Sequence, residues 1–234
     1  MDHAMMKAAI IIPVYNMQDT VGEAIESAVA QTYPDREVVV VDDGSIDKSY
    51  SVTVKYHSAV THVVGLRQNL GIQRAVNFAV RLYADDADAI VVLGADDTLH
   101  PEFLDATMPV LSDPEVAVVS TDMQYFGADD RICSTRGVSP TENNIPATSL
   151  IRKSVWDQMH GYDENMAYED WDLWLRIFAA DWKFDIVPAP LFNHRTGKNP
   201  RTTLQNQNRI KYEQQILDRH GWMLNETTDR DSQL

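Results

Sequence analysis

The chain has 234 residues, 44% of them apolar and 24% charged, which suits a globular protein with a sizeable core. Its formal net charge is −15, so it would repel nucleic-acid phosphates, and no nucleic-acid partner is expected. A single cysteine, Cys133, excludes an intramolecular disulfide and a cysteine zinc cage. The N-terminal run AAIIIPV is too short to span a membrane and no signal-peptide cleavage pattern follows it, so a cytoplasmic protein is expected.

Residues 8–12 start a strand. Residues 19–31 read as a helix with Val21, Ala24, Ile25 and Ala28 on one face and Asp19 or Thr20 as its cap. EVVVV, 37–41, is a strand buried on both faces, and THVVGL is a third strand. QRAVNFAVRLY reads as a helix, AIVVL as a fourth strand, PEFLDATMPVL as a helix opening on Pro101, and EVAVVS as a fifth strand. Strand and helix in alternation imply a mostly parallel sheet covered on both faces. Beyond it, 124–146 reads as a loop or hairpin, TSLIRKSVWDQM and EDWDLWLRIFAADW as helices, and KFDIVP as a late strand. The polar end, 223–234, is expected to fray.

In such sheets ligands bind beyond the carboxyl ends of the strands. Three polar clusters fall there: PVYN after the first strand, DDGS after the second and GADD after the fourth. The pair Asp96–Asp97 has three readings: a helix cap, a solvated turn, or a site for a divalent cation, which prefers carboxylate oxygen. A second pair, Asp42–Asp43, ends another apolar strand at the same sheet edge. Two acidic pairs converging there would repel each other unless a cation or hydrogen-bond donors lie between them.

AIIIPVYN, VVVVDDGS, NLGIQRAVN, LGADDTLHP and YEDWDLWLR stand in the order and at the spacing of the family 2 glycosyltransferases, which the chain resembles over about residues 7–195. The resemblance implies a GT-A fold, a Rossmann-like α/β/α sandwich with a mostly parallel central sheet. It also implies transfer of a sugar from a nucleotide diphosphate donor, with inversion at the anomeric carbon, in glycan or polysaccharide synthesis. By the same resemblance Pro13, Tyr15 and Asn16 form the first nucleotide-binding turn, with Tyr15 packing on the base. Asp43, beside Asp42, accepts a hydrogen bond from uracil. Asp96 and Asp97 match the DXD-type site, one contacting ribose or sugar and Asp97 binding Mn²⁺ or Mg²⁺ on the diphosphate. Many members carry a further Asp where this chain has Gly94. Of the pair Glu169–Asp170, Asp170 is the expected base and Glu169 the runner-up; an acidic first helical turn is the alternative.

His194, Arg195, Lys198 and Arg201 concentrate positive charge: His194 is a candidate metal or pyrophosphate ligand, and a solvated basic loop is the alternative. Arg74 and Asn77 are candidates to border the nucleotide, and His160 and Tyr162 to line the acceptor cleft. The whole chain is expected to form one domain, nucleotide-binding to about residue 123 and acceptor-binding over about 124–222. The donor expected is a UDP-sugar. The acceptor is a glycan, a lipid-linked sugar or a small molecule, and a lipid-linked acceptor would require peripheral membrane contact. PVYN lacks the glycines of a nucleotidyltransferase phosphate loop or a dinucleotide-binding turn. The remaining competitor is a non-catalytic nucleotide-sugar-binding or scaffold protein on the same fold.

Overall fold

Alternate residues of the apolar strands feed two separate cores. β1 (Ala8–Val14) and β2 (Arg36–Asp42) are almost wholly buried, as is β4 (Ala89–Val92). Ile10, Ile12, Val38, Val40 and Val91 pack to one side, against α1 (Val21–Val29) and α4 (Phe103–Leu111). Ile11, Val39, Val41, Ile90 and Val92 pack to the other, against α3 (Ile72–Tyr83), α5 (Lys153–Gln158) and α6 (Glu169–Ala179). The period of two therefore builds a three-layer α/β/α sandwich, with side chains of one strand serving opposite layers. The computed structural model describes residues 5–197, 204 and 206–225.

The sheet order is β3-β2-β1-β4-β8-β6-β9-β5, where β3 is His62–Gly65, β5 Thr98–Leu99, β6 Val116–Gly127, β8 Leu150–Arg152 and β9 Lys183–Thr196. β7 (Arg131–Cys133) forms a hairpin with β6. β1 pairs in parallel with β2 and β4, and β2 with β3. β8 is inserted antiparallel between β4 and β6. The segment read as one helix over 148–159 is thus a strand followed by a short helix, because Leu150 and Ile151 close the gap between two strands. α2 (Ser49–Thr53) and α7 (Arg209–His220) complete the helices used below.

Four further expectations are corrected. Pro101 precedes the cap of α4, Glu102, and does not begin the helix. Neither Asp19 nor Thr20 caps α1 through its side chain, and the buried Thr20 Oγ1 has no hydrogen-bond partner among the described residues. The late strand runs to Thr196, with Pro188 and Pro190 beside register shifts against Thr121–Met123 that tolerate their missing donors. At the other end, a 3₁₀ turn, Gly221–Asn225, buries Met223 against α6, so that part of the polar end is packed. Among the described residues no helix is long and apolar enough to cross a membrane.

Candidate active site

The ends of β1 and β2 are laced together by the polar residues that follow them. Asn16 adopts φ 54°; its N–H donates to Ser45 Oγ at 3.0 Å, and its Oδ1 accepts the Ile46 N–H at 3.0 Å. Asp42 Oδ1 accepts the Ser45 N–H at 2.9 Å. Its buried Oδ2 has no partner among the described residues. Both oxygens of Asp43 are engaged: Oδ1 accepts the Leu70 N–H at 2.8 Å and Oδ2 the Gly71 N–H at 3.0 Å. Burial pushes the Asp43 carboxyl up and these two donors pull it back, with a net rise. Gly44 lies between, at φ 70°, where a Cβ would sit 2.4 Å from the Gln68 carbonyl carbon, so only glycine lets the 68–71 loop approach.

These residues open on a cavity of about 540 Å³, lined by Pro13, Tyr15, Asn16, Asp43, Asp96, Ala167 and Tyr212 among others. Tyr15, which lines it, is 41% exposed. Asn16 and Asp96 also line a neighbouring cavity of about 310 Å³ with Asp19, Asp47 and Arg195. Asp96 is thus placed between two cavities.

Asp97 meets the last strand by register. β5 pairs antiparallel with β9, Thr98 opposite Asn193, and one step back brings Asp97 opposite His194. His194 Nδ1 lies 3.1 Å from Asp97 Oδ1 and 3.2 Å from Oδ2, and the Arg195 N–H donates to Asp97 Oδ1 at 2.8 Å. Arg195 Nε donates to the Asp96 carbonyl at 2.8 Å, its guanidinium lies 4.4 Å above the Phe126 ring, and it pairs with Glu23. Burial pushes the Asp97 carboxyl up. Burial opposes charge on His194, but Asp97 outweighs it and raises the imidazole above its usual value. Gly94 is what lets the two carboxylates fold back on the strand end: a Cβ there would lie 2.9 Å from Asp97 Oδ2 and 3.2 Å from Asp96 Oδ1.

Cis ligands of an octahedral cation stand about 3 Å apart, so Asp97 and His194 fit as one pair of ligands. No group of three metal-ligating side chains occurs among the described residues. Two protein ligands leave most of a cation's coordination positions open to other oxygens, such as those of a phosphate. His194 and Arg195 belong to a paired strand, not to the solvated loop weighed above; Lys198 and Arg201 lie outside the described residues.

At the start of α6, Asp170 is partly exposed and accepts a hydrogen bond from Asn143 Nδ2 at 3.0 Å. Glu169 is 3% exposed, which removes it from solvent. Ala167, three residues before Asp170, lines the larger cavity. Asp172 is structural: fully buried, it pairs with Arg176 at 2.7 Å, His220 at 2.8 Å and Arg219 at 3.3 Å. These partners hold its carboxyl below the usual range despite burial, which alone would raise it. α6 is buried on two sides, Leu173, Trp174 and Ile177 toward the sheet and Trp171 and Leu175 toward α7.

Four candidates stand elsewhere. Arg74 pairs with Glu164 at 2.8 Å, and its neighbour Gln73 lines the cavity instead, because successive residues of a helix diverge by about 100°. Asn77 exchanges hydrogen bonds with the backbone of Tyr162, at 2.9 and 3.0 Å, and pins α3 to that turn. Tyr162 is buried edge-on against Trp156, 4.9 Å away. His160, at φ 59°, is an exposed turn residue. Gln73, Asn69 and Tyr212 line the cavity without having stood out in the sequence. NLG before a helix hinted at Asn69, and nothing in α7 hinted at Tyr212.

The sequence pattern of the family described as Glycosyl transferase family 2 matches residues 9–173, well over half of the chain. The chain belongs to glycosyltransferase family 2. Among its relatives is an uncharacterized glycosyltransferase of Rickettsia typhi, 27% identical over 204 residues, 80% of this chain and 61% of that protein. This chain therefore spans about three-fifths of that relative's length. Two solved structures share the fold. TarS 1–349 of S. aureus in complex with UDP-GlcNAc superposes with a TM-score of 0.71 at 18% identity, covering 85% of this chain and 61% of that 1–349 fragment. The mannosyltransferase PcManGT of Pyrobaculum calidifontis, in complex with GDP-Man and Mn²⁺, gives 0.73 at 19% identity, covering 93% and 66%. The expected GT-A sandwich is thereby established.

Proposed function

We propose that this family 2 chain transfers a sugar from a nucleotide diphosphate sugar, a UDP-sugar by preference, to an acceptor hydroxyl with inversion, in glycan or polysaccharide synthesis. The observation that carries the reading is convergence: Tyr15, Asp43, Asp96 and the segment leading into Asp170 border one cavity at the carboxyl edge of the sheet. The structural neighbours carrying UDP-GlcNAc and GDP-Man with Mn²⁺ support a nucleotide-sugar donor and a divalent cation.

In this reading the nucleoside packs on Tyr15 and Pro13, with Asp43 positioned to accept a base N–H through a remaining lone pair. Asp97 and His194, with Asp96 beside them, would hold Mn²⁺ or Mg²⁺. When bound, the cation supplies charge neutralisation of the departing diphosphate. Arg195, packed on Phe126 and fixed by the Asp96 carbonyl, adds positive charge at the same edge. Asp170, the more accessible acid of its pair, takes the acceptor proton as the hydroxyl attacks.

Asp170→Asn tests this. It should keep the fold and UDP affinity while transfer falls ~10²–10⁴-fold in kcat, the usual contribution of a positioned base. Release of nucleoside diphosphate from a nucleotide-sugar panel with Mn²⁺ reads the native activity. Near-native turnover by Asp170→Asn removes the assigned base. No release from any donor by the native protein would favour a binding or scaffold role.

A further inference from the structure

The cavity has one wall that lies outside the part of the chain shared with the family. The family match ends at residue 173, yet Tyr212 of α7 lines the cavity together with Asp96 and Ala167. Its position follows from the helix face. Tyr212, Ile216 and His220 recur every four residues and so share one side of α7. Ile216 is fully buried in a cluster with Trp171 and Leu175 of α6, and His220 meets Asp172. Tyr212 extends that stripe to the N-terminal end of α6. There its ring stands edge-on to Tyr168, with centroids 5.8 Å apart and planes at 82°. Tyr168 in turn packs on Trp171, 5.9 Å away, whose indole N–H is fixed to the Ser139 carbonyl at 2.8 Å.

The Tyr212 ring is therefore braced by Tyr168 and only partly covered. A braced aromatic ring bordering a cavity suits a ligand with a flat apolar face and polar edges. The C–H face of a pyranose ring is such a surface, and Ala167 beside it leaves room for one. We propose that Tyr212 is the stacking wall for a hexopyranose ring, of donor or acceptor, and so helps decide which sugar this chain accepts. Its place outside the matched segment is where specificity can change while the shared nucleotide machinery stays fixed. This inference rests on the transfer reading above.

The test is calorimetry on native protein, Tyr212→Ala and Tyr212→Phe with Mn²⁺ present. The probes are UDP, UDP-glucose and UDP-N-acetylglucosamine, then methyl β-D-glucopyranoside, methyl β-D-galactopyranoside and N-acetylglucosamine with UDP saturating. Tyr212→Ala should lose at least tenfold in affinity for sugar-bearing probes that the native protein binds, while UDP affinity stays within twofold. Tyr212→Phe, which keeps the ring, should match native throughout. A loss confined to the nucleotide sugars places the donor's ring on Tyr212; a loss confined to the free sugars places the acceptor's there. Equal losses for UDP and UDP-sugars, a Phe variant as weak as Ala, two native-like variants, or a native protein that binds UDP but gains nothing from any sugar would each overturn the inference. A native protein that binds no UDP fails the transfer reading instead, and the sugars offered without nucleotide still read Tyr212.

Discussion

Replacing Asp172 by Asn should destabilise the fold more than any change to the surface acids. The carboxylate is fully buried, with Arg176 and His220 themselves only 17% and 5% exposed in their side chains. Breaking a buried pair by removing one partner typically costs about 3–5 kcal/mol, because the remaining charge is left uncompensated. Arg219, 39% exposed, is screened by water and adds little. Asn keeps the shape and one acceptor, so we expect the lower figure, about 3 kcal/mol, or about 6–12 °C in Tm for a domain of this size. The pH dependence has a definite sign. The folded carboxyl lies below its ordinary value, so its contribution is fully present above the unfolded pKa and disappears as pH falls through the folded one. The gap between native and Asp172→Asn should be complete at neutral pH and should close only in acid below the ordinary carboxylate range, because the folded carboxyl is held below it. Differential scanning calorimetry from neutral pH into acid reads it. A variant melting within 2 °C of native at neutral pH, or a gap that persists unchanged in acid, refutes the reasoning.

The proposed donor site gives three further expectations. Calorimetry of UDP with and without Mn²⁺ should show a strong cation effect in the native protein that shrinks sharply in Asp97→Asn; equal affinities in the native protein would end the shared-cation reading. Asp43→Ala should weaken UDP binding while leaving the cation effect intact. Because it also frees the Leu70 and Gly71 N–H groups, it should cost about 1–3 kcal/mol in urea unfolding, and unchanged UDP affinity would place the base elsewhere. Gly94→Ala should lower the Mn²⁺ effect at least tenfold with little change in Tm, since its Cβ would displace the two carboxylates rather than any core residue; native-like cation dependence would show that they move aside freely.

The first half of the chain was legible because its signals are local. Ile10 to Ile12 and Val38 to Val41 are apolar enough to require burial on both faces, and the polar clusters follow directly at their ends. Val21, Ala24, Ile25 and Ala28 are the buried residues of α1, as their spacing implied. The second half depends on partners distant in the chain. Leu150–Arg152 becomes a strand only because β4 and β6 leave a space for it, and KFDIVP continues through two prolines because β6 is long enough to receive it. Helix α7 escaped notice because its buried side is narrow, with Ile216 and His220 its buried residues. Arg74 and Gln73 differ by one helical step, which a motif match does not distinguish from a pocket contact.

The pairing of Asp97 with His194 joins positions 97 residues apart, through a strand that docks against β6 and β5. During synthesis the first carboxylate therefore emerges roughly 5–20 s before its partner, at ordinary elongation rates. Through that interval the Rossmann-like half can form its parallel strands, yet Asp97 still lacks the imidazole that completes the proposed cation seat. Competence to hold the cation is thus tied to arrival of the last strand. Such long-range closure is slow relative to local helix formation, so under the proposed function loading would wait until the sheet is whole.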